Sequence, residues 1–115
     1  MIPRLRARVP AHRAAAILRE VFGGITAPVA FRLWDGTEVA LGGGAPPVTV
    51  VIKSPETFVR LMRNPTPLNF AEAYVESAVD VEGDLAAAMA FGDAMEEMKL
   101  SLARRLRLLV SMVGP

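Results

Sequence analysis

The chain has 115 residues, enough for one domain with a buried core and too few for two. Apolar residues make up 52% and charged residues 22%, which excludes a disordered chain, yet no run is long and apolar enough to cross a bilayer. The absence of cysteine removes disulfides, thiol catalysis and cysteine-held metal, and a net charge of +1 gives no global attraction to nucleic acid.

Residues 1–10 are basic and irregular, with Pro3 and Pro10 near their ends. Residues 11–22 then predict a helix with Ala14, Ile17, Leu18, Val21 and Phe22 on one face and Arg13, Arg19 and Glu20 opposite. Gly23 and Gly24 end it. Residues 29–41 read as a hairpin closed by a tight two-residue turn at Asp35-Gly36. Val29, Phe31, Leu33, Val39 and Leu41 share one face, Arg32 and Glu38 the other, and Trp34 falls on the polar face beside the turn. The loop at 42–47 contains three consecutive glycines. It leads into Pro46-Pro47 and a strand rather than a helix, so it is a turn and not a phosphate cradle.

A third strand is predicted over 48–53. Ser54-Pro55-Glu56-Thr57 starts a helix with a serine cap, proline in the first turn and an early acid. Phe58, Leu61 and Met62 form its buried side, and Asn64-Pro65 stops it. Residues 69–75 read as a short helical turn. A fourth strand follows around 77–81, where Val79 and Val81 alternate with Asp80 and Glu82. Asp84 caps a last helix over 85–98, rich in alanine and carrying Phe91, Met95 and Met98.

Residues 99–113 are helical by pattern, with Leu102, Leu106, Leu109 and Val113 in a stripe. Leu100, Leu108 and Met112 sit among Arg104, Arg105 and Arg107, which predicts that this segment lies on a protein partner or an anionic membrane.

Few residues carry chemistry. His12 is the only histidine, and no serine or carboxylate is tied to it by a recognisable spacing. Asp80, Glu82 and Asp84 lack the glycine and final glutamate of a calcium loop and read as a solvated strand edge. Glu72 with Tyr74 is the pair expected to be partly buried, with Glu72 as a structural acceptor for backbone amides. The methionines are adaptable apolar filler, and with the alanine-rich helix they are compatible with a deformable groove.

The run Phe70-Ala-Glu-Ala-Tyr-Val-Glu-Ser-Ala-Val-Asp-Val-Glu-Gly-Asp-Leu85 resembles the end of the N-terminal domain of the cyclopropane-fatty-acyl-phospholipid synthase family, which are S-adenosylmethionine-dependent methyltransferases. Glu72, Ala73, Tyr74, Asp80, Asp84 and Leu85 occupy matching places. Ala71 stands where the family tends to have glycine, and Ser77-Ala78-Val79 where it tends to have glycine and tryptophan. The resemblance implies a sterol-carrier-like, lipid-binding domain. A following Rossmann-like domain would hold S-adenosylmethionine, and this chain lacks the glycine-rich strand-loop-helix that such a domain needs.

The expected fold is therefore α+β: a small, mainly antiparallel sheet of four to five strands covered by helices. Residues 1–98 would form the lipid-binding domain and 99–115 a basic amphipathic helix. The expected function is a non-catalytic module or accessory subunit that binds an acyl chain or phospholipid for a methyltransferase. A free-standing sterol-carrier-like carrier with a closed cavity, or a structural dimerisation module, are the alternatives. Phe70, Tyr74, Met89, Phe91, Met95 and Met98 are the expected lipid contacts, with Glu72 and Asp84 structural. No cofactor is expected on this chain. S-adenosylmethionine would sit on the partner or a following domain, a homodimer is a further expected assembly, and the setting is cytoplasmic at the inner membrane face.

Overall fold

The computed structural model describes residues 9–98 together with Arg107. The predicted C-terminal helix, with Leu100, Arg104, Arg105, Leu108 and Met112, lies outside the described residues; Arg107 itself is helical and exposed. The element order is α1 (Ala11–Phe22), β1 (Val29–Arg32), β2 (Glu38–Leu41), β3 (Val48–Ile52), α2 (Pro55–Arg63), α3 (Pro67–Val75), β4 (Val79–Gly83) and α4 (Leu85–Glu97). This is an α+β arrangement, with one four-stranded sheet in the order β2-β1-β3-β4.

Strand periodicity decides the layering. Val39, Phe31, Val50 and Val81 stand opposite one another across the four strands. Their row, with Val29, Leu41, Val48, Ile52 and Val79, faces the helices. The other face is wet and charged. Arg32 bridges Glu38 on β2 (3.5 Å) and Glu82 on β4 (2.5 Å), and Lys53 pairs with Asp80 at 3.3 Å. The acids of β4 thus answer cations across the sheet, which suits an exposed edge strand.

Two of the three strand pairs are antiparallel, but the central pair, β1 with β3, is parallel. The glycine loop makes this possible by carrying the chain over the start of β1. At Gly42 the backbone has φ +83°, and a Cβ there would lie 2.5 Å from the Ala27 carbonyl oxygen. No side chain fits so close a crossing.

The hairpin turn differs from the sequence expectation. The Leu33 N–H donates to the Thr37 carbonyl (2.8 Å) and the Gly36 N–H to the Leu33 carbonyl (2.9 Å), so three residues, Trp34, Asp35 and Gly36, form the loop. Gly36 takes the left-handed position at φ +92°. The extra residue takes Trp34 out of the strand alternation. It is half-buried, with its ring edge-on to Phe58 at 6.0 Å, rather than on the polar face.

Three rings join the two layers. Phe22 of α1 stacks on Phe31 of β1 at 5.9 Å, and Phe91 of α4 meets both edge-on at 5.3 and 5.7 Å. Each such contact contributes about 0.5–1.5 kcal/mol beyond the burial itself.

The helix starts follow from their caps. Ser54 Oγ accepts from the Thr57 N–H at 3.1 Å, and Thr66 Oγ1 from the Asn69 N–H at 3.2 Å. Both helices place proline in the first turn. With that cap, α3 is a full two-turn helix rather than the short turn expected. It ends in a paired carbonyl-capping arrangement: the Ala78 N–H donates to Ala73 O (2.8 Å) and the Ser77 N–H to Tyr74 O (3.0 Å). Ser77 sits at φ +66°, the left-handed position that glycine usually fills in this motif.

Candidate functional site

Helices α3 and α4 splay apart above β3 and β4 and leave an open groove of about 320 Å³. This is at the small end of ligand pockets, roughly 300–1,000 Å³. Its floor is Val50, Val79 and Val81, with Phe91 and Met95 from α4. Its walls are Pro67, Phe70, Ala71 and Tyr74 of α3 and Leu85, Ala88, Met89 and Gly92 of α4. The α4 residues recur every three or four positions, so one helix face supplies the wall. Asp84 orients this helix, its Oδ1 accepting from the N–H groups of Ala86 (2.9 Å) and Ala87 (3.4 Å).

Small residues make the space. At Gly92 a Cβ would make an ordinary contact with the Pro67 ring, at 3.6 Å, so the glycine leaves that part of the space between the helices unfilled. The rim is apolar and wet: Leu85, Met89 and Tyr74 are 59%, 67% and 49% exposed. Leu68 and Val75 on α3 are exposed as well. Such a concentration of wet apolar side chains on two adjacent helices is a feature of binding surfaces.

The six expected lipid contacts divide. Phe70, Tyr74 and Met89 stand in the walls or rim. Phe91 and Met95 touch the floor but are core, at 3% and 1% exposure. Met98 packs on the core and is not part of the lining. The hairpin side of the sheet is filled by α1 and Phe91, so the free space is on the β4 side.

Glu72 and Tyr74 are not a buried pair. Both are exposed, because α3 turns this edge outward, and Glu72 reaches Arg60 only as a neighbouring charge. The acid that binds α3 in place is Glu76, which accepts from Arg60 at 2.6 and 3.3 Å. That hydrogen bonding holds the Glu76 carboxyl below its ordinary range and raises the Arg60 guanidinium. Asn69 completes the clasp. Its Nδ2 donates to the carbonyls of Arg60 (3.1 Å) and Asn64 (3.0 Å), and its Oδ1 accepts from Arg60 Nε at 3.4 Å. Sequence reasoning missed these three residues, since a clasp between successive helices has no periodic signature. The small residues of α4, by contrast, have a helical spacing through which the groove was detectable.

Among the described residues, Asp93 is the one carboxylate in the lining, and no Lys, Arg or His accompanies it. His12 is exposed on α1. Among the described residues no cluster of His, Cys, Asp or Glu is placed to hold a metal, and no helix is long and apolar enough to cross a membrane.

The geometry defines an α+β domain with a one-sided sheet and an open apolar groove between two helices. The chain belongs to the family described as "Domain of unknown function (DUF7884)", which matches residues 16–101. It is also 33% identical over 70 residues to a "Probable fatty acid methyltransferase" of Pseudomonas putida. That match covers 61% of this chain and 17% of the length of that protein.

Proposed function

We propose that this domain binds an acyl chain in the groove between α3 and α4 and presents it to a methyltransferase, carrying out no transfer itself. The observation that carries this reading is the groove: apolar floor, small residues in the walls, and an exposed apolar rim. The similarity to a stretch of a probable fatty acid methyltransferase supports a role in lipid modification. The matching stretch is a minor part of that protein, which fits a module that works beside a separate catalytic domain or subunit. S-adenosylmethionine would bind there. A sterol-carrier-like role belongs to the same reading, as does a peripheral position at the membrane. An open groove favours presentation to a partner over a carrier that encloses its cargo.

The experiment is native mass spectrometry of the purified chain, with two variants. Co-purifying lipid is expected on the wild type. Met89→Arg, on the exposed rim, and Gly92→Leu, which fills the gap towards Pro67, should both lose it and still unfold cooperatively. Lipid retained by both folded variants would rule out this groove.

A further inference from the structure

We infer that residues 99–113 fold back as an amphipathic helix and seat their leucine stripe in the groove between α3 and α4, so that this domain covers its own site when no cargo is present. The docking stands on the groove and the segment alone, whereas its competition with cargo rests on the acyl-binding reading. The groove runs along α4 from Leu85 to Met95, about 15 Å at roughly 1.5 Å per residue. Leu102, Leu106, Leu109 and Val113 recur at helical spacing over about 16 Å on the same rise. Stripe and wall therefore match in length.

The chain also leaves the body at the right place. Helix α4 ends at Glu97, and Met98 has already departed from helical geometry at φ −104°, ψ 10°, its N–H donating to the Met95 carbonyl at 3.2 Å. No glycine or proline occurs between Asp93 and Val113, so no local stop signal ends the helix there. A chain emerging one turn beyond Met95 starts at the end of the groove. Lys99, Leu100 and Ser101 then lie between Met98 and the stripe, and about two to five residues suffice to join antiparallel helices.

Chemistry and charge fit the same occupant. An aliphatic helix face laid into an apolar groove covers Leu85, Met89 and Tyr74, the wet rim. The segment carries Lys99, Arg104, Arg105 and Arg107 and no acid, and the described lining holds no cation to repel it. On a helix Lys99 and Arg105 flank the stripe, while Arg104 and Arg107 fall on the opposite side. Arg107 is helical and exposed, as that placement requires. A tethered segment is present at an effective concentration in the millimolar range, which a second copy at micromolar concentration does not match. Cargo has to displace it, so the apparent affinity for cargo is reduced to the fraction of molecules whose groove is open.

The chain has no cysteine, so introduced pairs report the contact directly. Full-length protein carrying Met89→Cys with Leu106→Cys is oxidised at micromolar concentration beside a control carrying Ala40→Cys, on the open face of the sheet, with Leu106→Cys. Non-reducing gels and intact mass follow the disulfide. The groove pair should close within one molecule on the order of tenfold faster than the control. In a second arm, Leu106→Asp with Leu109→Asp should raise the affinity of the full chain for a dansyl-labelled undecanoic acid, on the order of tenfold, by emptying the groove. Equal closure rates for the two pairs would overturn the docking, and the acyl reading would stand if the probe still binds. Disulfides that form only between molecules would give the groove to a second copy and overturn the intrachain contact. Fast closure with equal probe affinity in both forms would overturn the competition. Fast closure with no probe bound by either form would uphold the docking and sink the acyl reading instead.

Discussion

Phe91→Ala and Met89→Ala, two residues apart on α4, should differ in stability by several kcal/mol. Phe91 is 3% exposed and holds α4 to both α1 and β1 through its edge contacts with Phe22 and Phe31. Truncating it removes the transfer energy of the ring and leaves a cavity between rigid layers, at a cost of about 3–5 kcal/mol. About 1–3 kcal/mol of that belongs to the two ring contacts, at roughly 0.5–1.5 each. Small domains have about 5–15 kcal/mol in total, so the variant should be close to unfolding at physiological temperature. Met89 is 67% exposed, and its truncation should stay within about 0.5 kcal/mol. Urea titration followed by circular dichroism measures both, and the slope with denaturant should be unchanged for Met89→Ala. A loss below about 1 kcal/mol for Phe91→Ala would refute the three-ring core. A comparable loss at both positions would refute the assignment of Met89 to a free rim. The contrast also separates site from scaffold: lost lipid binding in a Phe91 variant would report unfolding, whereas in a Met89 variant it reports the groove.

Ser77→Gly should be neutral or stabilising by up to about 1 kcal/mol, because Ser77 holds a positive φ that costs an ordinary residue roughly 1–2 kcal/mol; a thermal melt reads the gain. Asn69→Ala should cost about 1–3 kcal/mol by leaving the Arg60 and Asn64 carbonyls without their donor, and α3 should then lose hydrogen-exchange protection before the sheet does. Glu76→Gln removes the ion pair with Arg60. Because the folded Glu76 carboxyl titrates below its ordinary value, the pair contributes above the unfolded value of about 4.3 and is lost as pH falls through the lower folded one. The urea midpoints of wild type and variant should therefore differ at neutral pH and converge in acid, once the folded carboxyl is protonated; a gap that persists in acid would show that the pair is not its source.

The sequence determined each element with a local cause. The amphipathic stripe of α1, the Ser54 and Asp84 caps, the alternation along β1, β2 and β4 and the Asn64-Pro65 stop are all set by residues within a few positions of one another. So was the presence of surplus apolar side chains on the last helix, together with the small residues that open the groove. What depends on distant parts of the chain was decided only in three dimensions. The parallel pairing of β1 with β3 follows from the Gly42 crossing over Ala27, not from any strand pattern. The three-residue hairpin turn placed Trp34 against Phe58, an outcome that an Asp-Gly pair alone does not fix. Glu76 rather than Glu72 became the structural acid because Arg60 lies on the neighbouring helix. Phe91 and Met89 belong to the same apolar run, and the sequence gives them equal standing. Helix rotation against the sheet buries one among Phe22 and Phe31 and leaves the other at the rim, because a helix has one face to pack and the core had room for only part of that run.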